Sequence, residues 1–328
     1  MNKSVSVAPM MDCTDRHDRY FLRLISKNVM LYTEMIATKS AIHGDRKKIL
    51  SYSPEEKPLA LQVGGSDKKE LSEVAKIAQE MGYDEININL GCPSKKVQKN
   101  KFGACLMKEP DLVSECIHEM VNSCNIPVTA KTRIGFDDVE DFDYLNKFIL
   151  KIKEAGCKTF IIHARKAMLN GLSPKQNLNI PKLNYEMVYK IKKENPDLKI
   201  IINGGISTTD EIKNHLKTCD GVMIGRAIYQ NPYFLADIEK EIFKIKNTPT
   251  REEVAENLLQ YLEKEVKLGT KVNHIMRHTV GLYHGQIGSK NWKRYLSDNM
   301  MARDSDFQKA KHIMTIVQNN EKANQTNL

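Results

Sequence analysis

The segment NINLGCPS, residues 87–94, decides how the fold of this chain is interpreted. It begins as a short apolar run of strand length, and Cys92 follows between a glycine and a proline that restrict the local backbone. A cysteine held in the loop directly after a buried strand is placed for chemistry. The run is also the fourth of eight similar runs, each followed by polar or glycine-rich residues, so the sequence predicts an ordered series of strands.

The predicted strands are short, rich in β-branched residues and bounded by breakers. They cover residues 5–10, 29–35, 59–64, 85–91, 128–134, 159–164, 199–203 and 221–224. Helical patterns separate them, and this alternation predicts an α/β fold of the TIM (βα)8 barrel type. An open doubly wound sheet is the alternative, but the sequence contains neither a G-x-G-x-x-G nor a G-x-x-x-x-G-K-[ST] loop.

Helix signals set the expected domain organisation. The predicted helices cover residues 67–81 with an Asp67/Glu70 capping box, 138–155, the stretch from Thr208/Glu211 to about Leu216, 232–246, and 252–268 behind a Thr250/Glu253 capping box. No convincing strand follows residue 224. Because such barrels take about 250 residues, we expect a catalytic barrel over residues 1–246. A small all-helical C-terminal domain over 247–328, with a polar tail from residue 319, completes the expected organisation.

Composition limits the partners and the compartment. The 328 residues carry 50 Lys and Arg against 41 Asp and Glu, a formal charge of +9, which favours a polyanionic partner. Seven cysteines without a C-x-x-C pair argue against a disulfide framework and a structural zinc site. No apolar run reaches the ~18 residues of a membrane span. We therefore expect a cytoplasmic protein with no membrane and no metal. The sequence does not determine the oligomeric state, for which a monomer is the expectation.

Polar residues follow the ends of the predicted strands, where a TIM barrel has its active site. They include Glu34, Gln62, Asn89, Cys92, Lys131, Arg133, His163 and Arg165. The last two ends, Asn203, Gly204 and Gly205, then Gly225 and Arg226, are similar to a phosphate cradle, although tight turns without a ligand are the alternative. Lys131 and His163 could stabilise an anionic reduced flavin, and Gln62 could hydrogen-bond its pyrimidine edge. Flavin mononucleotide (FMN) is the predicted cofactor.

Two cysteines compete for a chemical role. Cys105 lies near the start of a helix, whose N-terminus could activate it. Cys92 is preferred because it lies in the loop immediately after a strand, where a thiol could deliver a proton to a bound substrate.

Three basic windows contain no acidic residue. They cover residues 86–107, 159–185 and 266–297, and the last also holds three histidines and the only tryptophan, Trp292. Basic residues interleaved with an aromatic side chain suit folded RNA. A solvated charged face is the alternative interpretation.

Six motifs, in this order along the chain, resemble those of the tRNA-dihydrouridine synthases. They are APMMD (8–12), NLGCPS (89–94), KTRIG (131–135), HARKA (163–167), NGGI (203–206) and MIGRA (223–227). Three more, GLSPKQN (171–177), GLYHG (281–285) and WKRYLS (292–297), resemble the DusA subfamily. The resemblance extends to about residue 315.

The resemblance implies an FMN-binding barrel with a helical tRNA-binding domain, reducing a D-loop uridine, at positions 20 and 20a, at the expense of NADPH. Hydride would reach carbon six of the uracil, and Cys92 would protonate carbon five from the other side. The implied flavin contacts are Pro9, Met10, Met11, Gln62, Lys131, His163, Asn203, Gly204, Gly205, Gly225 and Arg226. The implied tRNA contacts are Asn89, Lys175, Asn291 and Arg294.

Three positions depart from the subfamily pattern. Cys13 stands where tryptophan is usual, Leu178 where arginine is common, and Lys290-Asn291 where a more basic pair is usual. These departures affect the expected contacts with tRNA and not the expected chemistry. A flavin-dependent reductase of small pyrimidines and a non-catalytic RNA-binding barrel are the competing functional hypotheses.

Overall fold

A computed structural model describes residues 4–300 of the chain, and side chains as far as residue 298. The predicted polar tail from residue 319 lies outside the described residues. The strands are β1 (Ser4–Val7), β2 (Leu31–Tyr32), β3 (Ile36–Ala37), β4 (Leu59–Gly64), β5 (Glu85–Leu90), β6 (Val128–Arg133), β7 (Thr159–His163), β8 (Lys199–Asn203) and β9 (Gly221–Ile224).

The strands form one parallel sheet that curls into a barrel. Its order is β1-β9-β8-β7-β6-β5-β4-β2, and β3 also pairs with β4. Met30, just before β2, closes the circle on β1. The N–H of Val7 donates to the Met30 carbonyl at 2.9 Å, and the N–H of Met30 donates to the Val5 carbonyl at 3.0 Å. With β2 and β3 counted as one interrupted strand, the predicted eight-stranded barrel is confirmed.

The second barrel strand differs from its prediction as a single strand over 29–35. It is broken between β2 and β3 because the Thr33 side chain takes part in the pairing. The Thr33 hydroxyl accepts the N–H of Gln62 at 3.0 Å and donates to the Glu34 carbonyl at 2.7 Å. A side chain thus replaces a backbone carbonyl as the partner of Gln62, and the regular ladder stops there.

Helices cover the outside of the strands and make up the C-terminal part. They are α1 (Arg16–Ile25), α2 (Thr38–His43), α3 (Arg46–Ile49), α4 (Lys68–Glu80), α5 (Lys95–Lys99), α6 (Pro110–Ser123), α7 (Phe142–Glu154), α8 (Tyr185–Glu194), α9 (Thr209–His215), α10 (Arg226–Gln230), α11 (Phe234–Glu241), α12 (Arg251–Lys267), α13 (Val272–Met276) and α14 (Ser289–Tyr295). Short 3-10 helices cover Pro54–Glu56, Gly103–Lys108, Gln176–Leu178 and Arg277–Gly281, and a π turn covers Leu296–Met300.

The predicted caps are largely confirmed. Full capping boxes begin α9 at Thr208 and α12 at Thr250. At α4, Asp67 accepts the N–H groups of Lys69 and Glu70, but the return bond of a capping box is replaced. The Glu70 carboxylate instead accepts the Thr38 hydroxyl at 2.6 Å.

Two helices are shorter than predicted. Helix α7 begins after Asp141 rather than at 138, because the Asp141 side chain caps it by accepting the N–H of Tyr144. Helix α11 ends at Glu241 rather than at 246. The N–H of Phe243 turns back to the Ile238 carbonyl, and Lys244 takes a left-handed φ of 61°, which stops the helix.

Contacts divide the described residues into two compact units. The first contains residues 4–12 and Val29–Gly225, and the second contains Cys13–Asn28 and residues 226–300. Helix α1 joins the second unit because Tyr20 stacks on Tyr261 at 3.8 Å between ring centroids and Ser26 donates to Glu239. This contact division differs from the expected boundary at 246/247, which stays a prediction about function.

The barrel contains a buried apolar cluster. It consists of Ala8, Tyr32, Ala60, Ile161, Ile201 and Met223, with Met30 packed against it. No helix among the described residues is long and apolar enough to cross a membrane.

Candidate active site

Strand register brings most of the predicted site residues together inside the first unit. Gln62 pairs with Asn87 across β4 and β5, and Asn89 pairs with Lys131 across β5 and β6. His163 pairs with Arg133 on one side and with Asn203 on the other. Because side chains two apart on a strand share a face, these groups converge at the carboxyl ends of the strands.

Hydrogen bonds hold the backbone on both sides of Cys92. The N–H groups of Gly91 and Cys92 donate to the Asn89 side-chain oxygen at 3.1 and 2.9 Å. The Cys92 carbonyl accepts the N–H of Ala104 at 2.9 Å. Gly103 is required beside it, since its φ is +78° and a Cβ there would lie 2.6 Å from that carbonyl. The thiol is therefore presented from a rigid loop.

The thiols of Cys92 and Cys105 have different surroundings. Burial raises the pKa of both, so both are protonated near neutral pH. Lys131 and Arg133 act electrostatically on Cys92. The Cys105 thiol donates to the Phe102 carbonyl at 3.1 Å and lies near Lys108 and Glu109 instead.

Lys131 is an ionisable group in an unusual environment inside the barrel. Its side chain lies deep inside, with part of it still accessible, and desolvation together with the charge of Arg133 lowers its pKa to about 7. Its ammonium group donates to Asn203 Oδ1 at 3.2 Å. Within residues 4–300 it forms no ion pair with a carboxylate. A desolvated cation of this kind favours a bound anion.

Arg133 organises the loops around the site. Its guanidinium donates to the carbonyls of Gly91, Lys166 and Asn177 at 2.9, 3.0 and 3.2 Å. Burial lowers its pKa to about 10, so it stays charged. The sequence predicted Arg133 at a strand end. It did not predict that Arg133 hydrogen-bonds to three loops, because its partners lie up to 44 positions away.

The predicted cradle residues have distinctive backbone geometry, and their role stays a prediction. Gly204 has a φ of +120°, and a Cβ there would lie 2.7 Å from the His163 ring. The Tyr185 hydroxyl donates to the Gly204 carbonyl at 2.7 Å and fixes the turn. At Gly225 a Cβ would meet only ordinary contacts at 3.5 Å. Arg226 begins α10, is exposed and belongs to the second unit, so its part in a cradle stays a prediction.

The end of β1 contributes Pro9, Met10 and Met11. Pro9 and Met10 are half-buried, whereas Met11 is 54% exposed, unusual for a large apolar side chain. The N–H of Asp12 donates to the Glu34 carboxylate and holds this loop. The arrangement leaves an apolar side chain available at the barrel mouth.

The predicted RNA contacts are polar and reachable, with one exception. Lys175, in the loop after β7, is exposed, and so are Asn291 and Arg294, three residues apart on α14. Asn89 is only 9% exposed and lies among the barrel amides. Its side chain holds the Cys92 loop.

Trp292 does not have the exposed position that the RNA interpretation of the basic window would need. It is fully buried, donates its indole N–H to the Thr279 carbonyl at 2.9 Å and packs edge-on against Tyr283. Trp292 is a core residue that anchors α14. The exposed residues around it carry the basic character of this window.

A charged cluster in the second unit had no signal in the sequence. The buried ring of His278 contacts the Asp15 carboxylate at 3.1 Å, and Arg277 donates to the same carboxylate at 2.5 Å. Burial would raise the pKa of Asp15, but these partners outweigh it and leave that pKa well below its usual range. Asp18 lies 3.7 Å from the other ring nitrogen, and burial raises its pKa to about 7.

Comparisons with known proteins agree with the barrel and its motifs. The family model for dihydrouridine synthase (Dus) matches residues 6–320. A tRNA-dihydrouridine(20/20a) synthase of Synechocystis is 51% identical over 90% of this chain and 89% of its own length. The Vibrio cholerae protein of that name is 52% identical over 90% of each chain. That of Escherichia coli is 49% identical over 95% of this chain and 91% of its own.

Among solved structures, morphinone reductase shares the fold. Its TM-score is 0.51 at 10% sequence identity, over 76% of this chain and 88% of that one. At that identity the likeness supports the barrel architecture alone. The family is shown by the family model and by relatives that are about half identical over nine-tenths of this chain: the chain belongs to the dihydrouridine synthase family.

Proposed function

We propose that this protein reduces uridine to 5,6-dihydrouridine in the D-loop of tRNA, at positions 20 and 20a, with FMN as cofactor and NADPH as reductant. The coarser activity follows from the family, since dihydrouridine synthases are flavin-dependent oxidoreductases. The observation that supports the chemistry of this proposal is that Cys92 follows β5 and Lys131 lies on the neighbouring β6, beside Asn89 that holds the Cys92 loop. The positions 20 and 20a are proposed from the names of the relatives.

The residues of the first unit fit a flavin mononucleotide. Lys131 supplies a buried cation for an electron-rich ring edge, and Gln62 retains hydrogen-bonding capacity beyond its two side-chain partners. Gly204 and Gly205 both have positive φ, and the exposed Gly205 is the part of this turn that a phosphate group would reach. When bound, the flavin supplies hydride to the uracil ring.

The protein's own residues handle the proton and the position of the substrate. Cys92 holds a proton on Sγ at neutral pH because burial raises its pKa. That proton would be transferred to carbon five of the uracil as the C5–C6 double bond is reduced. Arg133 and Asn89 keep the loop in place during the transfer by their bonds to Gly91 and Cys92.

The first experiment is an absorption spectrum of the purified protein under anaerobic conditions. We expect a flavin spectrum that bleaches with NADPH and recovers on addition of unmodified tRNA. Recovery with free pyrimidines but not with tRNA would favour a small-molecule reductase. A protein that stays colourless after reconstitution with FMN would contradict both enzymes and leave the non-catalytic RNA-binding barrel.

The uridine position is tested separately with tRNA transcripts. Mass spectrometry of nuclease fragments should locate the two added hydrogens at positions 20 and 20a. A transcript with cytidine at both positions should gain none. Reduction of that transcript elsewhere in the D-loop would overturn the positional proposal while leaving the reaction intact.

The tRNA contacts are tested with Arg294→Ala. Loss of an RNA-contacting arginine should raise the KM for tRNA roughly 5- to 150-fold, corresponding to about 1–3 kcal/mol, with little change in kcat. Lys267→Ala is the matched control, because Lys267 is an exposed cation of α12 that pairs with Glu263 at 3.0 Å. Equal effects of both variants would indicate a general charge effect and remove Arg294 as a specific contact.

A further inference from the structure

Six side chains inside the barrel form one continuous hydrogen-bonded chain. The hydroxyls of Tyr32 and Thr129 both donate to Glu85 Oε1 at 2.6 Å. From Thr129 the chain continues to the carboxyl ends of the strands: Asn87 Nδ2 donates to Thr129 Oγ1 at 2.8 Å, Gln62 Nε2 to Asn87 Oδ1 at 2.8 Å, and Asn89 Nδ2 to Gln62 Oε1 at 2.9 Å. It ends at the N–H groups of Gly91 and Cys92, which donate to Asn89 Oδ1.

The chain has a direction, and Glu85 sets it. Burial raises the pKa of Glu85, whereas the hydrogen bonds from Thr129 and Tyr32 lower it by stabilising the carboxylate. An ionised carboxylate only accepts hydrogen bonds, so in this arrangement the Thr129 hydroxyl uses its single proton on Glu85. Thr129 can then only accept from Asn87, which fixes the amide of Asn87 with its oxygen toward Gln62. The same reasoning fixes Gln62, and it turns the Asn89 oxygen toward the two backbone N–H groups.

We propose that Glu85 and Thr129 are positioning residues, which set the amide orientations of Gln62 and Asn89 and thereby hold the Cys92 loop. The inference rests on the proposed function only for the chemical role of Cys92. Neither residue reaches the thiol. Both act through the intervening amides, from the amino-terminal side of β5 and β6 to their carboxyl ends.

The reversed chain shows why direction matters. If the Thr129 hydroxyl donated to Asn87 instead, each amide would have to flip in turn. Asn89 would then present its NH2 group to the N–H groups of Gly91 and Cys92, and two donors would face each other. Two donors that face each other cannot form a hydrogen bond, so the loop would lose the bonds that hold its present conformation.

Thr129→Val tests the connection with nearly unchanged shape. It removes the hydroxyl that links Glu85 to Asn87, and Thr129→Ser restores it. Tyr32→Phe is the matched control, because it removes the other hydroxyl from the same Glu85 oxygen and leaves the amide chain intact. The measurement is amide hydrogen exchange of peptides containing Gly91 and Cys92, on the full-length protein with and without bound flavin.

We expect exchange at Gly91 and Cys92 to rise about tenfold in Thr129→Val, as the loss of one buried hydrogen-bond connection implies. Thr129→Ser and Tyr32→Phe should match the parent protein. Unchanged exchange in Thr129→Val, or an equal increase in Tyr32→Phe, would overturn the inference. Should Thr129→Val fail to fold, Thr129→Ala provides the second test, because it removes the same hydroxyl with a smaller side chain; parent-like exchange there would also overturn the inference.

Activity separates this inference from the proposed function. If the parent protein forms dihydrouridine, Thr129→Val should lower kcat and leave the KM for tRNA unchanged, because the loop and not the RNA surface is affected. If the parent forms no dihydrouridine, the proposed function fails while the exchange result still decides the role of Glu85 and Thr129.

Discussion

The barrel interior and the second unit both bury ionisable groups, but the partners of these groups differ between the two regions. In the second unit, His278 and Arg277 contact the Asp15 carboxylate, and Asp18 lies close to the same histidine ring. In the barrel, the partners of Lys131 and Arg133 among the described residues are an amide oxygen and backbone carbonyls.

This difference separates a structural role from a functional one. Buried charges that are paired within the fold contribute to its integrity, and removing one partner leaves the other uncompensated. A desolvated cation without a carboxylate destabilises the protein alone, and it is stabilised when an anion binds. The comparison therefore predicts that changes in the barrel affect chemistry and ligand binding, whereas changes in the second-unit cluster affect folding.

The largest expected effect is on turnover, from Cys92→Ala. Removing a general acid should lower kcat about 10²- to 10⁴-fold, because proton transfer typically contributes that much. Flavin content and the melting temperature should stay close to those of the parent protein. Cys105→Ala is the control and should retain parental turnover; if Cys105→Ala abolished dihydrouridine formation and Cys92→Ala did not, Cys105 would be the acid.

The next effect is on stability, from His278→Ala. It removes the buried ring that contacts both Asp15 and the fully buried Asp18, and removing one partner of such a cluster costs about 3–5 kcal/mol. Urea denaturation followed by the fluorescence of Trp292, the only tryptophan, measures it in the second unit. His284→Ala, an exposed histidine of the same unit, should change the free energy of unfolding by less than about 0.5 kcal/mol. An unchanged free energy of unfolding in His278→Ala would contradict the structural role assigned to this cluster.

Replacing Lys131 should have a smaller effect of opposite sign on the free energy of unfolding, and this effect should depend on pH. Its pKa in the folded protein, about 7, lies below that of an unfolded lysine, so the unfolded state binds more protons between the two values. The flavin-free protein should therefore gain about 2 kcal/mol of stability from this group between pH 7 and pH 9.

Lys131→Met lacks the titrating group and removes the desolvation cost. Denaturation curves of the flavin-free parent and of this variant at both pH values measure the difference. The variant should be the more stable of the two at pH 7, and it should bind flavin more weakly. If the free energies of unfolding of the parent and of Lys131→Met changed equally between pH 7 and pH 9, burial in the barrel would not destabilise the charged form of Lys131.

The smallest expected effects come from the two capping boxes, one in each unit. Thr208→Ala and Thr250→Ala should each cost about 1 kcal/mol, because each exposes an N-terminal N–H of its helix. Thr250→Ala should lower the midpoint of the Trp292 fluorescence transition, whereas Thr208→Ala should be visible mainly by circular dichroism. If Thr208→Ala moves the tryptophan transition equally, the two units unfold together.

Much of the fold could be predicted because its signals are local. Strands β4, β8 and β9 have the predicted bounds, since a short β-branched run between breakers marks a buried strand. The interruption of the second barrel strand could not be predicted, because it depends on the Thr33 hydroxyl meeting Gln62, 29 positions away. Helix α11 ended early through a backbone turn at Lys244 that no residue type announced.

The candidate site divides in the same way. The positions of Gln62, Asn89, Lys131 and His163 at strand ends followed from the sequence, and the fold places them inside one barrel. The environments of these groups were not predictable. The second role of Asn89, as acceptor for the Cys92 loop, appears only when its hydrogen bonds are known.

The sequence by itself determined the order of strands and helices, most helix caps, the basic windows and the identity of the polar groups at the strand ends. These features depend on residues within a few positions of one another. The tertiary structure alone decided which charges are paired and which way the barrel amides point. Asp15 and His278 are 263 positions apart, and the direction set at Glu85 reaches Cys92 through side chains of three different strands. Electrostatic energies and hydrogen-bond directions depend on distances in space, which adjacency along the chain does not specify.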